Sequence, residues 1–191
     1  MSTPEGDRSI STLPGGLWTQ PQPTVPNASV DEPVQRLRMP AAMVYDYTPG
    51  LAQTRFLRGL KEKKILGERC PSTGEVYVGS RGVSPVTGEV MSETVEIGPK
   101  ATITSFCVVH IGFGVNAPPT PFVSGLFLCD GAAVSLYGTV GEIDYDKVRI
   151  GMRVEPVWVD DDQLTTSMEN IRYWRPIDEP DVPAEQLKGH M

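Results

Sequence analysis

The sequence predicts a mainly β protein in which one helix precedes a hairpin with two similar turns and a C-terminal antiparallel barrel, most simply an OB-like barrel. Three observations lead to this prediction. From residue 67 onward apolar and polar residues alternate, which is typical of strands. The segment 70–76, CPSTGEV, is echoed at 84–90 by SPVTGEV. Asp130-Gly131 separates two apolar runs, which is a strong hairpin signal. Strand patterns alone leave a sandwich as the alternative fold.

Residues 1–42 are predicted to form a flexible, proline-rich arm. Its run LPGGLWTQPQPTVPNASVDEPV cannot continue a helix or a central strand, because each proline removes a backbone donor. Leu17 and Trp18 are the candidate anchors through which the arm could contact the folded domain or a partner.

Residues 43–66 are predicted to form a helical segment. Thr48-Pro49 suits a helix start, and the apolar pattern indicates an amphipathic helix over about 50–64. Its predicted apolar face consists of Leu51, Phe56, Leu57 and Leu60. Its basic residues are Arg55, Arg58, Lys61 and Lys64. Two interpretations remain open: the basic side is simply solvated, or it meets an anionic ligand or partner.

Residues 67–98 contain the two similar turns, and their spacing is that of a zinc ribbon with paired Cys-x-x-Cys turns. The four ligand positions, with ten residues between the pairs, hold Cys70, Thr73, Ser84 and Thr87. Structural zinc sites need four soft or borderline ligands, and neutral hydroxyls are poor zinc ligands. One thiolate cannot hold the ion, so we expect a degenerate ribbon hairpin and no metal.

Three further residues, Glu75, Glu89 and His110, could serve as substitute ligands, but nothing in their spacing requires it. The simpler interpretation is that Gly74 and Gly88 fix the turn conformation. The hydroxyls of the degenerate positions would then accept hydrogen bonds from nearby backbone N–H groups, as turn residues commonly do.

Residues 99–176 are predicted to form the barrel, from five short strands, and residues 177–191 a flexible tail. Cys107 and His110 are the only pair that resembles a nucleophile and its base. Their separation of three places the two side chains on opposite faces of a strand. Cys107 and Cys129 lie in apolar runs, where cysteine is usually buried and inert. We therefore expect no catalytic residue in this chain.

The composition narrows the possible functions. The formal net charge of −7 and the aromatic content of 7% disfavour a single-stranded nucleic-acid-binding OB module, the main alternative function, because such modules need a basic groove with stacking aromatics. An odd number of cysteines and the lack of a long apolar run predict a cytoplasmic protein without a membrane span.

Several motifs in order resemble a known family. They are the lead YDYTPG, the segment RFLRGLKEKKILGERC, the two turns, TSFCVVH, PFVSGLFLCDGA and VRIGMRVEPVW. Together they cover residues 43–176 and resemble the zinc-ribbon OB-fold proteins (domain of unknown function 35, DUF35) that accompany thiolase-like enzymes. The resemblance implies a rubredoxin-like ribbon followed by an OB barrel. The sequence departs from the family at Thr73, Ser84 and Thr87, where cysteine is expected.

The resemblance also implies a function. Such proteins are accessory subunits of acyl-CoA enzymes, and the lead segment looks most like the branch that pairs with lipid-transfer-type thiolases or with a hydratase in steroid degradation. It implies a hetero-oligomer, catalysis in the partner and no cofactor of this chain's own, with acyl-CoA as a ligand that both chains could share. The residues that could contact CoA or the partner are Arg55, Arg58, Lys61, Lys64 and Arg69.

Overall fold

The computed structural model of the protein describes residues 47–79, 81–112, 118–187 and 189–190. Residues Thr48–Met191 form one compact unit. Its described part contains one α-helix and eight strands, and short 3-10 helices lie in the connections. In chain order the elements are α1 Leu51–Lys61, β1 Ile65–Arg69, β2 Val76–Val78, β3 Glu93–Ile97, β4 Ala101–Val109, β5 Phe122–Cys129, β6 Leu136–Val140, β7 Arg153–Trp158 and β8 Ile171–Pro176.

Helix α1 is shorter than the predicted span of 50–64. It ends at Lys61 because the next residues turn the chain: Lys63 has φ +59°, and the Lys64 N–H bonds back to the Gly59 carbonyl at 2.9 Å. Lys64 therefore lies outside the helix, contrary to the prediction. The predicted apolar face is wrong for Leu51, which is 82% exposed.

The three-stranded sheet has the order β2-β1-β3, and both pairs are antiparallel. Gly67 in the central strand pairs with Val78 on one side and with Val95 on the other. A Cβ at this position would lie 2.6 Å from Cγ1 of Val76, so only glycine fits here. The two similar turns flank β2, which is an edge strand of this sheet.

The barrel is closed in the order β4-β5-β6-β8-β7, which decides between the barrel and the sandwich. The predicted five strands are all present. The pairing differs from the prediction at one place, because β6 and β8 run parallel, with Val140 beside Trp174. Strand β8 follows β7 as its antiparallel neighbour and closes the barrel against β6, so its direction there is fixed.

The core is continuous from the helix through the first sheet into the barrel. In the barrel, the Phe127 and Trp174 rings stack with centroids 4.9 Å apart. Gly138 makes room for this pair, since a Cβ there would lie 3.0 Å from Nε1 of Trp174. The Ala133 N–H donates to the Val76 carbonyl at 2.8 Å, which joins the β5–β6 connection to the first sheet.

Residues 177–187, expected to be a flexible tail, pack on the barrel. The Ile177 N–H donates to the Arg153 carbonyl, and the carboxylate of Glu179 accepts from the Arg153 guanidinium at 3.1 Å. Leu187 is buried. The apolar and acidic residues of this segment therefore have partners on the barrel that no local pattern reveals.

The predicted arm over residues 1–42, with Leu17 and Trp18, lies outside the described residues. None of the described helices is both long enough and apolar enough to cross a membrane.

Candidate functional site

The first of the two similar turns follows β1. The Cys70 N–H donates to the Glu75 carbonyl at 2.8 Å, and the Gly74 N–H donates to the Cys70 carbonyl at 2.9 Å. Gly74 has φ +74°, a conformation that side chains disfavour. The glycine therefore allows the chain to double back toward β2.

The second turn repeats this arrangement. The Ser84 N–H donates to the Glu89 carbonyl at 2.8 Å, and the Gly88 N–H donates to the Ser84 carbonyl at 3.0 Å. Gly88 has φ +75°. The echo in the sequence is therefore a repeat of backbone geometry, and the predicted role of the two glycines is confirmed.

The hydroxyls at the degenerate positions bind backbone N–H groups of their own turns, as predicted. Ser84 is buried, and its Oγ accepts from the N–H groups of Val86 and Thr87. Oγ1 of Thr87 accepts from the Glu89 N–H. Thr73 has the same relation to Glu75, at 3.3 Å.

The Cys70 side chain is buried between the two turns. Its Sγ lies 3.5 Å from Oγ of Ser72, 3.6 Å from Oγ1 of Thr87 and 3.6 Å from Oε2 of Glu89. Hydrogen bonds from Thr73 and Ser72 lower the pKa of Cys70. The Ser72 and Thr87 hydroxyls donate their protons to Oε2 of Glu89, however, and an ionised Cys70 would face that carboxylate. The thiol therefore keeps its proton and also donates to Oε2 of Glu89.

These residues do not fit a zinc ion. Within the described residues no group of three or more His, Cys, Asp or Glu side chains could hold a metal ion. Of the three substitute ligands considered, only Glu89 reaches Cys70. Glu75 instead accepts from the Tyr77 hydroxyl, and His110 lies edge-on against the Tyr145 ring. One thiol, one carboxylate and hydroxyls do not make the tetrahedral donor set of a structural zinc site.

Arg55, predicted as a ligand-binding residue, forms an ion pair with Glu68 of β1. Its Nη2 lies 2.7 Å from Oε1 of Glu68, whose side chain is 1% exposed. The other carboxylate oxygen accepts from the Gly82 N–H at 2.9 Å. The pair therefore ties the helix to the first sheet and to the chain before the second turn. Glu68 could not be identified from the sequence, since a single acidic residue in a strand carries no spacing signal.

The remaining predicted basic residues differ in whether their charges are used in ion pairs. Arg69 donates to Glu93 at 3.1 Å and to the Gly74 carbonyl, and Lys64 lies 3.5 Å from Glu62. The other two, Arg58 and Lys61, occupy the last turn of α1. In the described part of the chain neither forms an ion pair, and both are exposed. Cations at a helix C-terminus also interact favourably with the helix dipole.

The outer face of the barrel carries a groove of about 510 Å³ that the sequence analysis did not identify. Leu126 of β5 and Tyr137 of β6 are cross-strand neighbours on this face, 39% and 70% exposed. The Ser124 hydroxyl donates to the Tyr137 hydroxyl at 2.6 Å and holds the ring in place. Other residues that line the groove are Cys107, Val109, Ile111 and Phe122.

Cys107 is exposed in this groove, contrary to the prediction that it is buried. The run FCVV is apolar on both faces of β4, so alternation could not show which face is covered. Cys129 is buried as predicted, and burial raises its pKa to about 12. His110 follows the end of β4 and contacts Tyr145, so the structure does not assemble Cys107 and His110 into a catalytic pair.

Comparisons with known proteins agree with this architecture. Residues 94–159 match the family model for the ChsH2 C-terminal OB-fold domain. No curated protein sequence matches the chain. Among solved structures, a chain of the Ltp2-ChsH2(DUF35) aldolase aligns with a TM-score of 0.53 and 22% identity, over 69% of this chain and 98% of that one.

A DUF35 protein of unknown function from Sulfolobus solfataricus aligns with a TM-score of 0.50 and 18% identity, over 64% of this chain and 83% of that one. The two structural similarities establish a shared fold. Residues 94–159 are therefore similar to the ChsH2 C-terminal OB-fold domain, and the part of the chain that aligns with the two solved structures shares the fold of those DUF35 proteins.

Proposed function

We propose that this chain is a non-catalytic accessory subunit of a thiolase-like, lipid-transfer-type acyl-CoA enzyme, acting in lipid or steroid side-chain degradation. It works by forming a hetero-oligomer with the enzyme. The observation that carries the proposal is the exposed apolar groove on the OB barrel.

An exposed apolar groove is costly for an isolated protein and is typical of a surface that another protein covers. None of the described residues that line it is charged. Tyrosine is also enriched among the residues that dominate binding energy at protein interfaces, because it buries a large apolar ring and keeps a polar end. Tyr137 and its neighbour Leu126 are therefore the central residues of the proposed interface.

The comparisons support a partner of the lipid-transfer type. The solved relative that aligns over 98% of its length is named for two components, Ltp2 and ChsH2(DUF35), and for an aldolase activity. In our chain the described residues offer no assembled catalytic pair, so we place catalysis in the partner. The three free cysteines fit the reducing, cytoplasmic compartment that we propose.

The single-stranded nucleic-acid-binding alternative is not favoured by the groove. Such a site needs cations that follow the phosphate backbone, and the described groove residues supply none. A salt-dependent titration with a fluorescent oligonucleotide tests this alternative directly. We expect no binding, and saturable binding that weakens with salt would support a nucleic-acid function instead.

Contact with the CoA part of a shared ligand remains a further proposal for the basic residues. Arg58 and Lys61 are the best candidates, because their charges are not used in ion pairs in the described structure. Charge-assisted hydrogen bonds to CoA phosphates are the expected contact. With the partner in hand, Arg58→Ala and Lys61→Ala should raise the KM for acyl-CoA while complex formation is retained.

The test is affinity purification of the tagged chain from its source cells, followed by mass spectrometry of the bound protein. We expect a thiolase-fold protein in stoichiometric amount. Leu126→Glu and Tyr137→Glu should each abolish its recovery, since a charge in the groove must be desolvated on binding. Val86→Glu is the matched control, as Val86 is 73% exposed in the second turn and does not line the groove.

Recovery of the partner by the groove variants and by the Val86→Glu control decides whether the proposal holds. Recovery of a thiolase-fold protein by the control but not by the groove variants supports the proposal. A chain that elutes alone, or groove variants that retain the partner as well as the control does, would contradict it. Circular dichroism of each variant verifies that the barrel is folded.

A further inference from the structure

We propose that the two similar turns are held together by a carboxylate in place of a metal ion. Glu89 lies where the donors of both turns converge, and it binds Cys70, Ser72 and Thr87. These four residues form what we call the Glu89 cluster. The inference concerns how this region stays folded and does not depend on the proposed function.

The geometry of the Glu89 cluster is that of a single acceptor with several donors. One oxygen, Oε2 of Glu89, accepts hydrogen bonds from the Ser72 hydroxyl, from the Thr87 hydroxyl at 2.9 Å and from the Cys70 thiol at 3.6 Å. Ser72 and Cys70 belong to the first turn, whereas Thr87 and Glu89 belong to the second. The carboxylate thus links the two turns directly.

The central group of the Glu89 cluster has the opposite charge to the central ion of a zinc ribbon. In a zinc site, anionic ligands point at a cation, whereas here O–H and S–H groups point at an anion. Hydroxyls are poor ligands for zinc but good hydrogen-bond donors, and bonds to an ionised acceptor are roughly twice as strong as neutral ones. The replacement of ligand thiols by hydroxyls is therefore consistent with an anionic centre.

Glu75 shows that this link is specific to Glu89. The two carboxylates occupy equivalent places in the repeated sequence, two residues after a threonine. Oε2 of Glu75 accepts from the Thr73 hydroxyl at 3.2 Å and from the Tyr77 hydroxyl at 2.6 Å. Both partners belong to the first turn and the strand that follows it, so the Glu75 contacts do not join the two turns. Glu75 is for this reason a matched control.

Apolar packing gives the cluster a second support. Cys70 packs with Tyr77 and Met91, and Ala133 and Val134 of the β5–β6 connection pack against this group. In a small metal-dependent domain the binding energy of the metal is folding energy. Here burial against the barrel supplies stability that a free-standing ribbon lacks, so the turns need no ion to form.

The experiment compares full-length wild type, Glu89→Gln and Glu75→Gln by urea unfolding, with and without EDTA, together with metal analysis of the purified protein. We expect no retained zinc, a wild-type urea midpoint that EDTA leaves unchanged, and a lower midpoint for Glu89→Gln than for Glu75→Gln. One zinc per wild-type chain, or a midpoint that EDTA lowers, would overturn the proposal. Equal midpoints for the two glutamine variants would overturn it too.

A double-mutant cycle measures the link between the turns. Ser72→Ala removes the donor that reaches across from the first turn. Its effect on the urea midpoint should be smaller in the Glu89→Gln background than in wild type, whereas Glu75→Gln should leave it unchanged. Additivity in both backgrounds would mean that Ser72 and Glu89 act independently, and that result contradicts the proposal. If Glu89→Gln does not fold, Ser72→Ala must still destabilise the wild type.

Discussion

The ion pair between Arg55 and Glu68 provides the sharpest test of how helix α1 is held. In Arg55→Ala, the Glu68 carboxylate stays buried and keeps only the bond from the Gly82 N–H. Removal of one partner from a buried ion pair typically costs about 3–5 kcal/mol. Because the Arg55 side chain is 46% exposed, water can reach part of the vacated site. We therefore expect a loss of about 2–3 kcal/mol in the free energy of unfolding.

Arg58→Ala is the control, because it removes an equally long basic side chain from the same helix without breaking an ion pair. Exposed substitutions of this kind usually change stability by less than about 0.5 kcal/mol. The assay is urea unfolding followed by circular dichroism, with a shared m value as evidence that the unfolded states are alike.

The double variant Arg55→Ala/Glu68→Gln distinguishes an ion pair from simple packing. If the loss in Arg55→Ala comes from an uncompensated buried charge, neutralising Glu68 should recover about 1 kcal/mol or more of it. Equal losses for Arg55→Ala and Arg58→Ala would refute the reasoning. A double variant that is less stable than Arg55→Ala alone would refute it as well.

Three further predictions concern the tail, the thiols and the turns. Lys100 and Arg153 lower the pKa of Glu179 below its usual 4.5, so the stabilisation is present above pH 4.5 and lost as the pH falls through the folded-state value. The urea midpoints of wild type and Glu179→Gln should therefore converge at low pH. The control Glu185→Gln should have the same urea midpoint as wild type at every pH tested. In native protein a disulfide reagent should modify Cys107 at once, and it should reach the buried Cys129 only on unfolding; equal rates would contradict the burial. The triple variant Thr73→Cys/Ser84→Cys/Thr87→Cys places thiolates at the three hydroxyl positions. Because the turn geometry is retained, this variant should bind one cobalt ion, which is detected by its absorbance band. Lack of that band would contradict the inference that the turns keep the geometry of a metal site.

Much of the architecture could be predicted from the sequence because strands and turns leave local signals. Alternation located the strands of the barrel, and the doubled Thr-Gly-Glu located both turns, whose geometry requires Gly74 and Gly88. The helix end could not be located this way, since a positive φ at Lys63 stops the helix while the basic pattern continues to Lys64.

The candidate sites were harder to predict because they depend on pairs that are distant in sequence. Arg55 lies 13 residues from Glu68, and Ser72 lies 17 residues from Glu89. The groove on the barrel requires knowledge of which residues face outward on neighbouring strands, and Leu126 and Tyr137 are paired only by the register of β5 and β6. A spacing rule within one segment contains none of this information.

The two turns show which part of a metal-site sequence determines the fold. In each turn two backbone hydrogen bonds and one glycine with positive φ close the loop, and the hydroxyls at the ligand positions only add hydrogen bonds from N–H groups of the same turn. The side chains at the ligand positions are then free to change, provided that the space between the turns is filled by groups that satisfy one another. Glu89 and its donors meet that condition with the charge reversed. A change at Gly88, in contrast, would strain the backbone at φ +75° even though a Cβ there would meet no neighbour. The repeated glycines are therefore the better indicator of this fold, and the residues at the ligand positions indicate only how the space between the turns is filled.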